Sequence, residues 1–325
     1  MSRTIPHTDF SVFPIVLGTA LFGSAIPKKE AFELLDAYAE AGGNFLDTAH
    51  IYAAWLPGGE GMSERTVGRW IRLRQARKGI ILATKGAHSE LATGESHMNR
   101  AALNRHLAES LERLQVDHVD LYWLHRDDPA VPAGEILDWL EELLSQGLVR
   151  AVGCSNWTWR RIEEARSYAQ RLGRRGFCAS QIGWSLAAVD PAGPGPAGML
   201  FMDPETLAYH ERTRFPVLAY SAQASGFFSG RYRRDMKPED RKPNVRPWVL
   251  ERYGSRANFE RLARVEEMAA SMGVSANQVA LAWLLSRPLP VFPVIGPGTY
   301  AQLKDSLGAL SVTLTQEQSD FLWHG

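Results

Sequence analysis

Residues 119–156 read VDLYWLHRDDPAVPAGEILDWLEELLSQGLVRAVGCSN. An apolar run starts at Val119, apolar residues at helical spacing follow between positions 136 and 144, and a second apolar run starts at Val149. Gly147 stands where glycine commonly ends a helix. A short apolar strand, a helix and another such strand indicate a βαβ unit with parallel strands.

The same alternation recurs along the whole chain. Eight short apolar runs, separated by helix-like stretches, start at Ile15, Phe45, Ile80, Val119, Val149, Ala179, Pro216 and Val291. Eight such units predict an α/β fold of the (β/α)8 or TIM-barrel type, which takes about 250 residues plus insertions. We expect residues 1–325 to form one barrel domain, with long loop insertions near 190–203 and 227–254.

Composition and charge exclude several classes of protein. Apolar residues make up 45% of the 325 residues and charged residues 22%, which is enough for a large core. Lys and Arg total 36, as do Asp and Glu, and this balance argues against nucleic acid as a partner. Two cysteines are too few for a disulfide framework, and no apolar stretch reaches the roughly 20 residues of a membrane span. We therefore expect a cytoplasmic protein without a membrane partner.

Polar residues follow most of the predicted strands. In a parallel barrel, the residues just beyond the carboxyl ends of the strands meet at one mouth. In this sequence they are Gly18, Thr19, Asp47, Lys85, His125, Ser155, Asn156, Gln181, Tyr220, Ser221 and Gly296. Tyr52 lies in the loop that follows Asp47. We expect substrate and cofactor to bind at this mouth.

Four of these side chains suit proton transfer to a carbonyl compound. The phenol of Tyr52 has an ordinary pKa of about 10, and a neighbouring ammonium such as Lys85 can lower a pKa by about 1–3 units. Asp47 can hold Lys85 in place, and His125 can donate a hydrogen bond to a carbonyl oxygen. The set lacks an electron source, which implies a hydride-carrying cofactor. No motif of metal ligands is present, so we expect no metal site.

This set and its order resemble the aldo-keto reductase family. The similarity covers about residues 15–310 and includes NFLDTA at 44–49 with Tyr52, ATK at 83–85 and VGCSN at 152–156. The resemblance implies a (β/α)8 barrel that reduces aldehydes and ketones to alcohols with NADPH. Tyr52 would be the general acid, tuned by Lys85 and Asp47, and His125 would orient a small carbonyl substrate.

The resemblance also implies how the nicotinamide cofactor binds. Ser155, Asn156 and Gln181 would hold the carboxamide, Tyr220 would stack on the nicotinamide ring, and Ser221 would begin the pyrophosphate loop. The complete set of expected cofactor contacts is Gly18, Thr19, Ser155, Asn156, Gln181, Tyr220, Ser221, Gly226, Gly230, Arg231, Gly296, Gly298, Gln302, Asp305 and Ser306. Trp55, together with the catalytic histidine, is expected to line the substrate pocket.

Three positions depart from the family pattern. Many relatives carry an Arg or Lys near Gly298 for the 2′-phosphate of NADP, and this chain has none there, so that Lys304 or residues 231–237 would have to replace it. Ser306 stands where Asn is common, and the sequence AQA at 222–224 replaces a proline-containing turn. Two alternatives therefore stay open: an NAD-dependent sugar or polyol dehydrogenase, and a non-catalytic nicotinamide-sensing subunit resembling the potassium-channel β subunits.

Overall fold

Eight short parallel strands lie at the centre of the computed structural model, which describes residues 2–189, 198–236 and 245–325. The strands are β3 (Val16–Gly18), β4 (Phe45–Asp47), β5 (Ile81–Gly86), β6 (Val119–Leu124), β7 (Val149–Ser155), β8 (Phe177–Gly183), β9 (Val217–Tyr220) and β10 (Val291–Ile295). They pair in chain order, and β10 pairs with β3 to close the barrel. Each predicted apolar run overlaps one strand, so the predicted (β/α)8 fold is confirmed.

Helices surround this barrel. In the part of the chain that the structure describes they are α1 (Lys28–Glu40), α2 (Met62–Arg74), α3 (Arg100–Leu114), α4 (Ala133–Ser145), α5 (Trp159–Arg171), α6 (Pro204–Thr213), α7 (Pro247–Tyr253), α8 (Arg256–Met272), α9 (Ala276–Leu285), α10 (Tyr300–Gly308) and α11 (Gln316–His324). Helix α3 begins after Asn99, whose side chain accepts a hydrogen bond from the backbone N–H of Ala102, as is typical of an N-cap. Helix α1 buries Leu34, Leu35 and Tyr38 on one face because they recur at helical spacing.

A small hairpin closes the amino-terminal end of the barrel. Strands β1 (Arg3–Thr4) and β2 (Ser11–Val12) pair antiparallel. Ile5 and Phe10 between them are buried in the cluster that also contains Trp123 of the barrel interior. Sequence periodicity does not predict this hairpin, because strands of two residues are too short to show an alternating pattern.

The two predicted insertions are partly outside the described residues. Positions 190–197 of the first and 237–244 of the second are not described. The described remainder of the first insertion, 198–203, leads directly into α6. The second ends in helix α7, so part of the segment predicted as loop is helical, with Pro247 at its first turn.

Helices α8, α9 and α11 pack on one side of the barrel. The indole of Trp283 on α9 stacks on Trp323 of α11 at 5.3 Å, and the guanidinium of Arg261 on α8 lies 3.9 Å from the Trp323 ring centroid. No single helix among the described ranges is long and apolar enough to cross a membrane. Only α8 and α9, taken together across a 100° bend, have the required length and composition.

Gly153 leaves space for the largest side chain inside the barrel. Trp123 on β6 is completely buried, and Gly153 is its partner in register on β7. A methyl group at Gly153 would lie 2.3 Å from the Trp123 ring and 3.1 Å from the carbonyl oxygen of Ala179. Because closed interiors are densely packed, neither neighbour has room to retreat.

We therefore expect Gly153→Ala to lower the free energy of unfolding by about 2 kcal/mol, since overpacking of a core costs about 1–3 kcal/mol. Equilibrium unfolding in urea measures this change. Gly79→Ala is the matched control, because a methyl group there meets no atom within 4 Å. Equal stability of the two variants would contradict this account of the interior.

Candidate active site

Lys85 joins three groups at the carboxyl end of the barrel. Its ammonium Nζ donates hydrogen bonds to Asp47 Oδ2 at 2.6 Å, to Tyr52 Oη at 2.8 Å and to the carbonyl oxygen of Thr48 at 2.8 Å. The side chains of Lys85 and Asp47 are each only 1% exposed. The ring of His125, which follows β6, packs edge-on against Tyr52 with centroids 5.9 Å apart. The structure thus brings together all four residues predicted to be catalytic.

The loop that carries Tyr52 is held by backbone hydrogen bonds to β5. The N–H of Thr48 donates to the carbonyl of Ala83, and the N–H of His50 donates to the carbonyl of Lys85. Tyr52 then turns back, with its own N–H donating to the carbonyl of Ala49. These backbone contacts fix the course of the loop that carries the phenol.

Charge and burial act in opposite directions on Lys85 and Tyr52. Burial lowers the pKa of Lys85, but Asp47 and Tyr52 beside it raise that pKa by more, so the ammonium form persists. Burial raises the pKa of Tyr52, and Lys85 opposes this rise, as its charge predicts. Burial outweighs the ammonium, so the net shift of Tyr52 is upward rather than downward as expected from the sequence. The phenol therefore keeps its proton at neutral pH.

His125 is a neutral imidazole. Burial lowers its pKa well below the ordinary value, and the positive charges of Lys85 and Arg126 add to this effect. Its Nδ1 is buried and has no hydrogen-bond partner within the described ranges. A neutral imidazole donates one hydrogen bond and does not readily give up that proton, so it can orient an oxygen atom.

The predicted carboxamide ligands already form a hydrogen-bond network. Asn156 Oδ1 accepts from Tyr220 Oη at 2.8 Å and from the Leu200 N–H at 2.9 Å. Asn156 Nδ2 donates to the His125 carbonyl at 3.1 Å and to Ser155 Oγ at 3.0 Å. The single proton of Tyr220 Oη is shared, because the Leu200 carbonyl oxygen also lies 2.7 Å from it. A ligand that accepts a hydrogen bond from Asn156 Nδ2 would have to replace one of the two bonds that this nitrogen donates.

Gln181 has spare hydrogen-bonding capacity. Its Nε2 donates to Asp47 Oδ1 at 3.1 Å, and within the residues that the structure describes its Oε1 accepts no hydrogen bond.

Thr19, next to Gly18 at the end of β3, is fully buried, and its hydroxyl donates to the Asp47 carbonyl at 3.1 Å. Gly296 follows β10, and a Cβ there would meet nothing within 4 Å. There is therefore free space beside Gly296, whereas Thr19 is surrounded by other protein atoms.

The segment that replaces the family's proline-containing turn ties three elements together. Gln223 Nε2 donates to Asn277 Oδ1 on α9 and to Ser306 Oγ on α10, both at 2.9 Å. Asn277 Nδ2 in turn donates to Asp305 Oδ2 at 2.7 Å. Ser306 and Asp305, both predicted at the adenine end of the cofactor, thus have partners inside the protein. Sequence reasoning noted Gln223 only as a departure and missed this role.

The other predicted cofactor contacts lie on two loops. Gly226 and Gly230, after β9, both have a positive φ that favours glycine. A methyl at Gly226 would lie 2.3 Å from Arg231 Nη2, so the missing side chain lets this cation fold over the loop that begins at Ser221. After β10, the Gly298 N–H donates to Gln302 Oε1 at 2.7 Å, which shapes the turn before α10.

Three further side chains surround the predicted catalytic group. Trp55, predicted in the substrate pocket, is 49% exposed and packs edge-on against Tyr52 at 6.3 Å. His88 packs edge-on against His125 at 4.8 Å, and Arg126 is the next residue after His125. Sequence reasoning missed His88 and Arg126, although each lies within three positions of a predicted site residue. Across the described ranges, no group of three His, Cys, Asp or Glu side chains could hold a metal ion.

Comparisons with known proteins find similar sequences and a similar fold. Residues 14–322 match the sequence model of the Aldo/keto reductase family. The aldo-keto reductase ausK of Emericella nidulans is 30% identical over 98% of this chain and 79% of its own length. The uncharacterized oxidoreductase YrpG of Bacillus subtilis is 29% identical over 96% of this chain and 91% of its own length. The crystal structure of a thermostable aldo-keto reductase, Tm1743, in complex with epalrestat has the same fold, with a TM-score of 0.73 at 24% identity over 99% of this chain and 98% of that one.

We expect Lys85→Met to lower the free energy of unfolding by about 3 kcal/mol, because removal of one partner leaves the Asp47 carboxylate buried without its countercharge. Equilibrium unfolding in urea measures the loss. The double variant Asp47→Asn with Lys85→Met should recover part of it, since neither charge then remains.

Lys29→Met is the matched control, because the ion pair that it removes is weak. Lys29 Nζ lies 3.9 Å from Glu33 Oε1, and the Lys29 side chain is 89% exposed to solvent. It should leave the unfolding curve unchanged. A Lys85→Met protein as stable as the wild type would show that the buried pair contributes nothing to folding.

Proposed function

Because the chain belongs to the aldo/keto reductase family, we propose that it is a carbonyl-reducing oxidoreductase that takes hydride from NADPH and uses Tyr52 as general acid. The observation that carries the proposal is the buried hydrogen bond from Lys85 Nζ to Tyr52 Oη at 2.8 Å. It connects a protonated phenol to a permanent positive charge at the mouth of the barrel.

The proton transfer follows from the contacts of Tyr52. NADPH, when bound, supplies the hydride that a carbonyl carbon accepts. Tyr52 Oη then gives its proton to the carbonyl oxygen, on which negative charge develops. The Lys85 ammonium stabilises the phenolate that remains after the proton transfer. Asp47 Oδ2 holds this ammonium in place by accepting its hydrogen bond at 2.6 Å.

His125 orients the carbonyl oxygen in this proposal. Its imidazole lies against the Tyr52 ring, and burial with two nearby cations keeps its pKa below the ordinary value. A neutral imidazole can donate a hydrogen bond to the oxygen without competing with Tyr52 for the role of acid. Trp55 borders the same space and provides an apolar wall for the rest of the substrate.

The residues at the mouth fit a nicotinamide cofactor. Gln181 has an amide oxygen that accepts no bond from the described residues, and it is the side chain best able to receive the carboxamide N–H. Ser155 and Asn156 would exchange one internal bond for a contact with the same group. Tyr220 would lie against the ring, and the positive φ at Gly226 shapes a loop suited to the pyrophosphate.

Two further features are part of the proposal. We place residues 1–325 in one domain. The helices after the last strand support this, because α10 contacts α1 and α11 contacts α8. We place the protein in the cytoplasm, because its two cysteines, Cys154 and Cys178, are unpaired, as suits a reducing compartment.

We expect Tyr52→Phe to lower kcat for reduction of an activated aromatic aldehyde such as 4-nitrobenzaldehyde at least about 100-fold, because general acid catalysis contributes about 10²–10⁴-fold. Consumption of NADPH, followed by absorbance, measures kcat. NADPH binding, followed by fluorescence, should be retained because the ring of residue 52 still fills its place.

Tyr168→Phe is the matched control, since the hydroxyl of Tyr168 contacts Asp138 on the outer helices and not the mouth. It should leave kcat unchanged. Wild-type turnover in the Tyr52→Phe protein would refute the acid assignment. Tight NADPH binding by the wild type without any turnover would favour the sensing subunit.

We expect kcat/KM to be at least about tenfold higher with NADPH than with NADH, since one added ion pair to the 2′-phosphate contributes about 1.4 kcal/mol or more. Lys304, exposed on α10, is the cation proposed for that phosphate. Lys304→Met should therefore reduce kcat/KM for NADPH and leave that for NADH unchanged. A preference for NADH would favour the NAD-dependent sugar or polyol dehydrogenase, for which the lack of Arg and Lys at 296–303 is the supporting observation.

A further inference from the structure

Arg126 places a cation at the mouth of the barrel, and none of the described residues supplies a carboxylate partner for it. It directly follows His125 and is half-buried. Its Nη1 donates to the carbonyl oxygen of His125 at 3.0 Å. Within residues 2–189, 198–236 and 245–325, its Nε and Nη2 donate to no protein atom, and no Asp or Glu forms an ion pair with it.

Arg161, which pairs with the residue after Arg126, is bound very differently. Arg161 Nε lies 3.0 Å from Asp127 Oδ2, and Arg161 Nη1 lies 3.0 Å from Glu164 Oε2. A guanidinium withdrawn from water without a countercharge costs free energy, and Arg161 recovers that cost through its two carboxylates. Arg126 precedes Asp127 directly, but it forms no ion pair with Asp127 or Glu164 and so does not recover this cost from them.

Arg126 lies near the residues proposed to act on the substrate. It interacts electrostatically with the hydroxyls of Tyr52 and Tyr220, and burial lowers its pKa. A Cβ at Gly198 would lie 3.1 Å from Arg126 Cδ and from Nε, so the Gly198 backbone packs closely against the side chain. The guanidinium is therefore fixed beside the His125 backbone and within electrostatic range of Tyr52.

We propose that Arg126 binds a carboxylate on the carbonyl substrate and so directs the enzyme toward aldehydes and ketones that also carry an acid group. Because Nη1 is held by the His125 carbonyl, the edge formed by Nε and Nη2 is the one for which the described residues supply no acceptor. That edge is the one that makes paired, parallel hydrogen bonds to the two oxygens of a carboxylate. The inference rests on the proposed function, since it concerns the substrate of the same site.

The test compares acids with uncharged molecules of nearly the same shape. The substrates are the 2-, 3- and 4-carboxybenzaldehydes and their methyl esters, with NADPH as reductant. In the wild type, kcat/KM should be higher for at least one acid than for its ester. Arg126→Met should lower that acid-to-ester ratio about 10–100-fold, because hydrogen bonds to a charged partner contribute about 1.5–3 kcal/mol.

Two variants separate the carboxylate contact from a general charge effect. Arg126→Lys keeps the charge but loses the paired geometry, so its ratio should lie between those of the wild type and Arg126→Met. Arg69→Met removes an exposed cation on α2, away from the mouth, and should leave the ratio unchanged. An equal fall for acids and esters in Arg126→Met would overturn the proposal, because it would mean that Arg126 acts on Tyr52 and not on the substrate.

Binding measurements keep the result independent of turnover. Calorimetry with benzoate and benzamide on the protein saturated with NADP⁺ should show benzoate bound more tightly by the wild type, and this preference should disappear in Arg126→Met. If the wild type reduces neither acids nor esters, the proposed function fails, and the benzoate titration still tests Arg126. Loss of NADPH binding in Arg126→Met with an unchanged benzoate preference would overturn the proposal in favour of a cofactor phosphate.

Discussion

The buried ion pair between Lys85 and Asp47 is the interaction on which the rest of the site depends. Two charges that are each 1% exposed tolerate the loss of water only at close range and with further hydrogen bonds. The pair meets this requirement because β4 and β5 are neighbours in register, and Asp47 pairs with Ala83, two positions before Lys85. The same ammonium reaches Tyr52, so the position of the phenol follows from the demand of the buried charges for partners.

Hydrogen bonds across the barrel mouth make the site one connected network. Gln181 on β8 donates to Asp47 on β4, on the opposite side of the barrel. Asn156 connects the residue after β6, His125, to Tyr220 at the end of β9. These bonds join the ends of different strands, so the side chains at the mouth hold one another in place.

The electrostatics of the site suit an oxygen atom that becomes negative during a reaction. Lys85 and Arg126 are both cations, and they help to keep His125 neutral. Asp47 is held by Lys85, so it does not oppose a developing negative charge as a free carboxylate would. Burial raises the pKa of Tyr52, so the phenol keeps its proton at neutral pH. A low-dielectric site with these fixed charges stabilises a developing alkoxide more than water does.

The sequence by itself determined the barrel and the group of four side chains. Strand and helix periods are local properties, and parallel strands bring their carboxyl ends together by geometry alone, so Asp47, Lys85 and His125 could be assigned to one mouth. The tertiary structure decided the net direction of the Tyr52 pKa, the internal hydrogen bonds of the Asn156 amide and the lack of a carboxylate beside Arg126 among the described residues. Each of these depends on burial and on distances between residues far apart in the chain, which no local pattern encodes.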